Sequence, residues 1–215
     1  MSEGTLNKLL EQLRKDRKIE VYLFYEESPI KLSLPIVDID WEKKQIEFEI
    51  NSKIEVILNQ EREIYVKFDN EVFVLKPIFW NKEVLITGFP SFAIEPKTKR
   101  KYVRVKCSQK NPIVIEIDDI NVCAPLRDIS EGGFSFKLPK DISLEINKEY
   151  HGKIRINDKS FPIGFKIIYK TERPDKTYRY GSLILDLKLN LENEIAKYIL
   201  NRQREIAKIL NTFAD

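Results

Sequence analysis

The apolar positions change period twice along the chain. Over 2–15, Leu6, Leu9, Leu10 and Leu13 recur three and four residues apart, which predicts an amphipathic helix. From Lys18 to Tyr25 the period drops to two, with Ile19, Val21 and Leu23 on one face and Tyr22 and Phe24 on the other. That alternation predicts a half-buried strand. Further strands are predicted at 33–41, 44–50, 53–58, 62–68, 71–79 and 83–89, with turn chemistry at Asp69-Asn70 and Asn81-Lys82. Six or seven short strands at regular spacing predict an all-β barrel or sandwich.

Pro90 to Lys99 interrupts this pattern with two prolines and then a basic polar run. A second set of strands is predicted at 102–107, 112–118, 121–127, 134–138, 150–156, 161–171 and 178–187. In the first of these, Val103, Val105 and Cys107 share one face, and Tyr102, Arg104 and Lys106 share the other. Asp118-Asp119 is expected in a hairpin turn. From Leu191 the period returns to helical. Leu191, Ile195, Ile199, Ile206, Ile209, Leu210 and Phe213 lie near one stripe, Asn190 is placed to cap it, and Arg202 interrupts it. The expectation is a first domain over 1–92, a linker over 93–99, and a second domain over 100–215 that includes a C-terminal helix over 191–213.

Composition narrows the function classes. Hydrophobic residues at 42% and aromatics at 11% can fill a core. Thirty-seven basic residues against thirty-four acidic ones leave a net charge of only +3, which argues against DNA or RNA as a partner. Cys107 and Cys123 form no Cys-x-x-Cys pair, so neither a disulfide scaffold nor a structural metal site is expected, and both read as small core residues. His151, the single histidine, reads as surface or turn. No stretch approaches the roughly 20 apolar residues of a membrane span, and the N-terminal leucines are interspersed with charge. The expected location is the cytoplasm, without membrane insertion. A nucleophile–histidine–acid triad and a phosphate-cradling Gly-x-x-x-x-Gly-Lys loop are both missing from the sequence.

The chemistry gathers in two short pieces, Lys99-Arg100-Lys101-Tyr102-Val103-Arg104 and Asp128-Ile129-Ser130-Glu131-Gly132-Gly133. Arg100 and Arg104 offer planar, permanently charged forks that match phosphate oxygens or the O6/N7 edge of guanine. An ionised Asp128 accepts only, which suits the N1–H and N2–H₂ donors of guanine. Ser130 adds a hydroxyl. Gly132 and Gly133 permit positive φ and a close approach of backbone to ligand. The candidate site residues are therefore Arg100, Arg104, Asp128, Ser130 and Gly133, with Lys99, Lys101 and Gly132 as possible additions.

Arg100-x-x-x-Arg104 followed by Asp128-x-Ser130-x-x-Gly133 resembles the PilZ domain, a β-barrel receptor for cyclic di-GMP. Tyr178-Arg179-Tyr180-Gly181 is similar to a late-strand signature of that domain, and Ile195 to Glu205 to its C-terminal helix. The first half resembles, in strand order and position, the N-terminal domain of YcgR-like flagellar brake proteins. The resemblance implies a mainly β chain of two β-barrel domains, the first split-barrel-like and the second a six-stranded PilZ barrel, with a C-terminal helix. It implies a non-catalytic cytoplasmic receptor, monomer or homodimer. Cyclic di-GMP would be its ligand, with no cofactor. Binding would change the interdomain arrangement and regulate a protein partner, with the flagellar motor as the candidate. Lys99 stands where the family often has another arginine, which leaves one or two ligand molecules open.

Two other readings stand beside this one. A protein-interaction module of the same fold without ligand would be expected to lack some of the five residues, and all five are present. A flavin-binding split-barrel enzyme fits the first half in outline, but no glycine-rich phosphate loop supports it.

Overall fold

The computed structural model of the protein describes residues 2–213. Residue 1 and residues 214–215, the outer ends of the two expected domains, lie outside the described residues. The chain divides into two compact units. The first takes residues up to Tyr25, Pro29–Lys101 and the chain from Ile206 onward. The second takes Glu26–Ser28 and Tyr102–Glu205.

The first unit begins with α1 (Ser2–Asp16), β1 (Lys18–Tyr25), β2 (Ser28–Asp40) and β3 (Gln45–Glu49). It continues with α2 (Ser52–Gln60), β4 (Ile64–Phe68), β5 (Glu71–Leu75), β6 (Pro77–Trp80), β7 (Val84–Gly88) and β8 (Ser91–Phe92). Its eight strands run β6-β7-β3-β2-β1-β4-β5-β8 and form a half-barrel. Leu9, Leu10 and Leu13 of α1 are buried with Ile19, Val21 and Leu23 of β1, as their periods predict. Asp69 and Asn70 both take positive φ, 45° and 63°, in the tight turn from β4 to β5. Short polar side chains tolerate that region best.

Two predicted strands differ. The stretch 53–58 is helical, because Asn51 accepts a hydrogen bond from Ile54 N at 3.2 Å and caps α2. Ile54, Ile57 and Leu58 then fall on one buried face, so the i, i+3, i+4 spacing outweighs the alternation of Ile54, Val56 and Leu58. The stretch 71–79 breaks at Lys76 into β5 and β6.

The second unit comprises β9 (Val105–Lys106), β10 (Val114–Ile117), β11 (Val122–Ser130), β12 (Gly133–Pro139), β13 (Glu149–Ile156), β14 (Lys159–Glu172), β15 (Thr177–Leu185) and α3 (Leu189–Asn211). Six strands in the order β10-β13-β14-β15-β12-β11 close into a barrel through β10–β11 pairing, and β9 adds to the β11 edge. Phe134, Phe136, Phe165 and Tyr180 fill the barrel. The buried Tyr180 hydroxyl accepts from Leu144 N at 3.1 Å and donates to Ile142 O at 3.3 Å, so its burial leaves no unpaired polar group. Asp118-Asp119 sits in a short 3₁₀ turn inside the β10–β11 hairpin, and His151 is exposed.

Helix α3 buries Leu191, Ile195, Tyr198 and Ile199 in the barrel cluster, whereas Ile206 and Leu210 belong to the apolar cluster of the first unit. Ile209 and Phe213 are partly exposed, at the edge of the expected stripe. Cys107 is buried, but Cys123 faces solvent because it lies on the outward parity of β11.

Replacing Asn51 by Ala should lower stability to urea by about 0.5–2 kcal/mol, and replacing it by Gly by only a few tenths. Equal losses for the two would show that the cap does not hold α2.

Candidate functional site

The site is built on β11. Leu126 and Ile129 both point into the barrel core although three positions separate them. A strict alternation would send one of them out. A register shift between Leu126 and Asp128 in the β11–β12 pairing absorbs the extra residue, a β-bulge at Arg127. The bulge puts Asp128 on the face away from the core, opposite Ser135 of β12 on one side and Lys106 of β9 on the other.

Asp128 is only 3% exposed. Taking a carboxylate out of water costs on the order of several kcal/mol unless cations and hydrogen bonds replace the lost solvation. Arg179 Nη2 from β15 donates to Asp128 Oδ2 at 2.9 Å, and the Ser135 hydroxyl donates to the same oxygen. Arg104 Nη1 lies 3.6 Å from the other oxygen, Oδ1. At that distance the contact is an ion pair and not a hydrogen bond. Among the described residues, Asp128 Oδ1, Arg104 Nε and Arg179 Nε are buried polar atoms without a hydrogen-bond partner. One acceptor and two guanidinium donors are thus desolvated and unsatisfied within a single cluster. Each such atom costs about 1–3 kcal/mol.

The strand carrying Lys106 is fixed from behind. Arg202 of α3 is 9% exposed, and its Nε donates to Lys106 O at 3.0 Å. Its Nη1 reaches Glu205 at 2.7 Å and its Nη2 reaches Glu26 at 3.4 Å. The residue that interrupts the apolar stripe is therefore an anchor for β9. Cys107, next in the chain, has its thiol pushed up to about 12, first by burial and then by the nearby Asp128 charge.

Ser130 and Gly133 pair at the start of the β11–β12 hairpin, and the Ser130 hydroxyl donates to Gly133 O at 3.1 Å. No glycine among the described residues has positive φ, so the conformational freedom expected of Gly132 and Gly133 is not used. Their smallness is used. A Cβ on Gly133 would lie 2.1 Å from Ser182 O of β15, and one on Gly132 would lie 2.7 Å from the Tyr102 ring.

Residues 98–201 match the family model of the PilZ domain. This part of the chain is a PilZ domain. Over nearly the whole chain, an uncharacterized protein of Aquifex aeolicus is 24% identical, covering 98% of this chain and 99% of its own. The structure of K. pneumonia MrkH in complex with c-di-GMP superposes with a TM-score of 0.50 at 13% identity, covering 97% of this chain and 96% of its own. Escherichia coli YcgR in complex with c-di-GMP superposes with a TM-score of 0.47 at 16% identity, covering 99% and 98%. The MrkH likeness shows a shared fold.

Within the PilZ domain the structure brings together Arg104 and Asp128, and separately Ser130 and Gly133. Lys99, Arg100 and Lys101 are grouped with the first unit, where Lys97–Lys99 form one 3₁₀ turn and Arg100 N donates to Lys97 O at 3.2 Å. The predicted strand over 102–107 is shorter than expected. Only Val105–Lys106 pairs, Arg104 precedes the strand, and Val103 is 42% exposed instead of buried. Val105 and Lys106 pair with Ile129 and Asp128, and Cys107 N beyond them donates to Arg127 O at 2.7 Å.

Two residues of the cluster, Ser135 and Arg179, were not among the sequence candidates. Arg179 lay inside a recognised signature without a role. A signal for it exists: alternation puts Arg179 and Gly181 on the face opposite the core residue Tyr180, and Gly181 pairs with Ser135, which pairs with Asp128. An outward cation one pair along that row can reach the carboxylate.

Among the described residues, no group of three His, Cys, Asp or Glu side chains could hold a metal ion, and no helix is long and apolar enough to cross a membrane.

Replacing Gly133 by Ala is expected to destabilise the barrel by about 1–3 kcal/mol, because the obstacle is strand backbone and cannot swing aside. Gly88, around which a Cβ would meet nothing within 4 Å, is the control, and Gly88→Ala should not destabilise. Urea midpoints of the two variants decide the point. An unperturbed Gly133→Ala would contradict the close approach.

Proposed function

We propose that the chain is a receptor for cyclic di-GMP whose PilZ domain holds the ligand at Arg104, Asp128, Ser130 and Gly133. Lys99, Arg100 and Lys101 join the proposal as cations for the phosphates, on the sequence argument, with Gly132 beside them. The observation that carries it is the unsatisfied trio of Asp128 Oδ1, Arg104 Nε and Arg179 Nε. A guanine base supplies N1–H and N2–H₂ donors for the carboxylate oxygen, and its O6/N7 edge or a phosphate supplies acceptors for a guanidinium. The MrkH and YcgR structures were obtained with c-di-GMP, and the PilZ domain here is consistent with the same ligand.

The proposed role is binding, without catalysis and without a cofactor, in the cytoplasm. Residues 1–92 would act as one functional domain and 100–215 as the other, joined by 93–99. A ligand that changes how the domains are arranged does so only by its differential affinity for the alternatives. The output proposed is regulation of a protein partner, with the flagellar motor as the candidate.

Calorimetric titration of the full chain tests this reading. Cyclic di-GMP should bind saturably, and GTP and cyclic di-AMP should not. Arg104→Ala removes a charge-assisted contact of about 1.5–3 kcal/mol, so affinity should fall roughly 10- to 100-fold. Asp128→Ala should fall at least as far. A folded wild-type chain that gives no heat with cyclic di-GMP would overturn the proposal.

A further inference from the structure

Asp128 has two oxygens with different surroundings. Oδ2 is saturated by Arg179 Nη2 and the Ser135 hydroxyl, and Oδ1 has only the longer Arg104 ion pair. A carboxylate on a short side chain can rotate about its last bond, which exchanges the two oxygens. Whatever fixes Oδ2 therefore determines where Oδ1 points.

Strand register fixes it here. Ser135 sits directly opposite Asp128 across the β11–β12 pair, and it is 1% exposed. Arg179 comes from β15, one strand further, in the register position opposite Lys137. Its Nη2 lies 3.5 Å from the Ser135 hydroxyl as well as 2.9 Å from the carboxylate. Gly181, opposite Ser135, leaves room for the Tyr169 ring of β14, which a Cβ there would meet at 2.0 Å. Three adjacent strands thus converge on one oxygen.

We propose that Arg179, with Ser135, is a positioning residue for nucleotide recognition. The pair clamps Oδ2 of Asp128 so that Oδ1 is presented to the ligand. This inference rests on the cyclic di-GMP reading and deepens it. It assigns to β15 and β12 a role that the Arg-x-x-x-Arg and Asp-x-Ser-x-x-Gly pieces do not contain.

The clamp makes a claim about charge as well as geometry. The charged groups facing Asp128 are Arg104, from the segment entering β9, and Arg179, from β15. Lys106 is opposite in register on β9, but its ammonium pairs with Glu26 at 3.1 Å. Cys107 feels the Asp128 charge and is held neutral by burial. Removing Arg179 leaves a 3% exposed carboxylate with one cation at 3.6 Å. Only the Ser135 hydroxyl then holds Oδ2, so Oδ1 is no longer held toward the ligand.

The test is calorimetric titration of the full chain with cyclic di-GMP, using wild type, Arg179→Met, Arg179→Lys and Ser135→Ala, each checked for a cooperative thermal transition. Arg179→Met should bind about 10- to 100-fold more weakly than wild type. Arg179→Lys, which keeps a cationic donor for Oδ2, should recover part of that loss. Ser135→Ala, which is isosteric enough to fold if Arg179→Met does not, should lose about 2- to 10-fold. Wild-type affinity in both Arg179→Met and Ser135→Ala would overturn the clamp, and so would an Arg179→Lys loss as large as that of Arg179→Met. Absence of binding by wild type would instead remove the receptor reading, and this inference with it.

Discussion

A carboxylate held in the protein at 3% exposure dictates much of what surrounds it. Asp128 cannot be left there as an isolated charge, because the desolvation cost on the order of several kcal/mol has to be offset locally. The PilZ barrel offsets it with two guanidiniums and a hydroxyl drawn from three different strand regions. The arrangement is complete on one oxygen and incomplete on the other. Stability alone would favour completing both, or replacing the cluster with apolar residues of similar volume. Retaining three unsatisfied buried atoms instead is the kind of local cost that a binding site carries.

The barrel supplies the geometry through two features of its backbone. The bulge at Arg127 turns Asp128 away from the core while Leu126 and Ile129 both remain in it. Two glycines then make room for close neighbours. Gly133 lets β12 approach the Ser182 carbonyl, and Gly181 leaves space for the Tyr169 ring. The aromatic side chains of Phe134, Phe136, Phe165 and Tyr180 fill the barrel core. Arg202 ties β9 to α3 by holding the Lys106 carbonyl. Specificity would come from this fixed placement more than from any single contact.

Much of this was legible in the chain, for identifiable reasons. The period-two runs that became β1, β12 and β13 have one face in a core, and burial enforces alternation. The Asp69-Asn70 turn was legible because few residues accept its dihedrals. The helix at Ser52–Gln60 was not, because Lys53 to Leu58 satisfies both periods and only the Asn51 cap decides between them. The strand over 102–107 was overextended because alternation in sequence cannot reveal how long a partner strand remains available. Arg104, Asp128, Ser130 and Gly133 could be named from their spacing. Ser135 could not, because the bulge at Arg127 is what sets it opposite Asp128, and Arg179 could not, because it joins through the β12–β15 register, which pairs it with Lys137 more than forty positions away.

The central claim is that the desolvated donors and acceptor around Asp128 exist to meet a nucleotide. Nitrogen-15 spectroscopy of the arginine side chains, with cyclic di-GMP added stepwise, tests it most directly. The Nε–H resonance of Arg104 should move saturably as the base or phosphate reaches it. Resonances of exposed arginines such as Arg62 should stay in place. An Arg104 signal that remains unchanged at saturating cyclic di-GMP would contradict the account, because the unsatisfied donor would then have some other purpose.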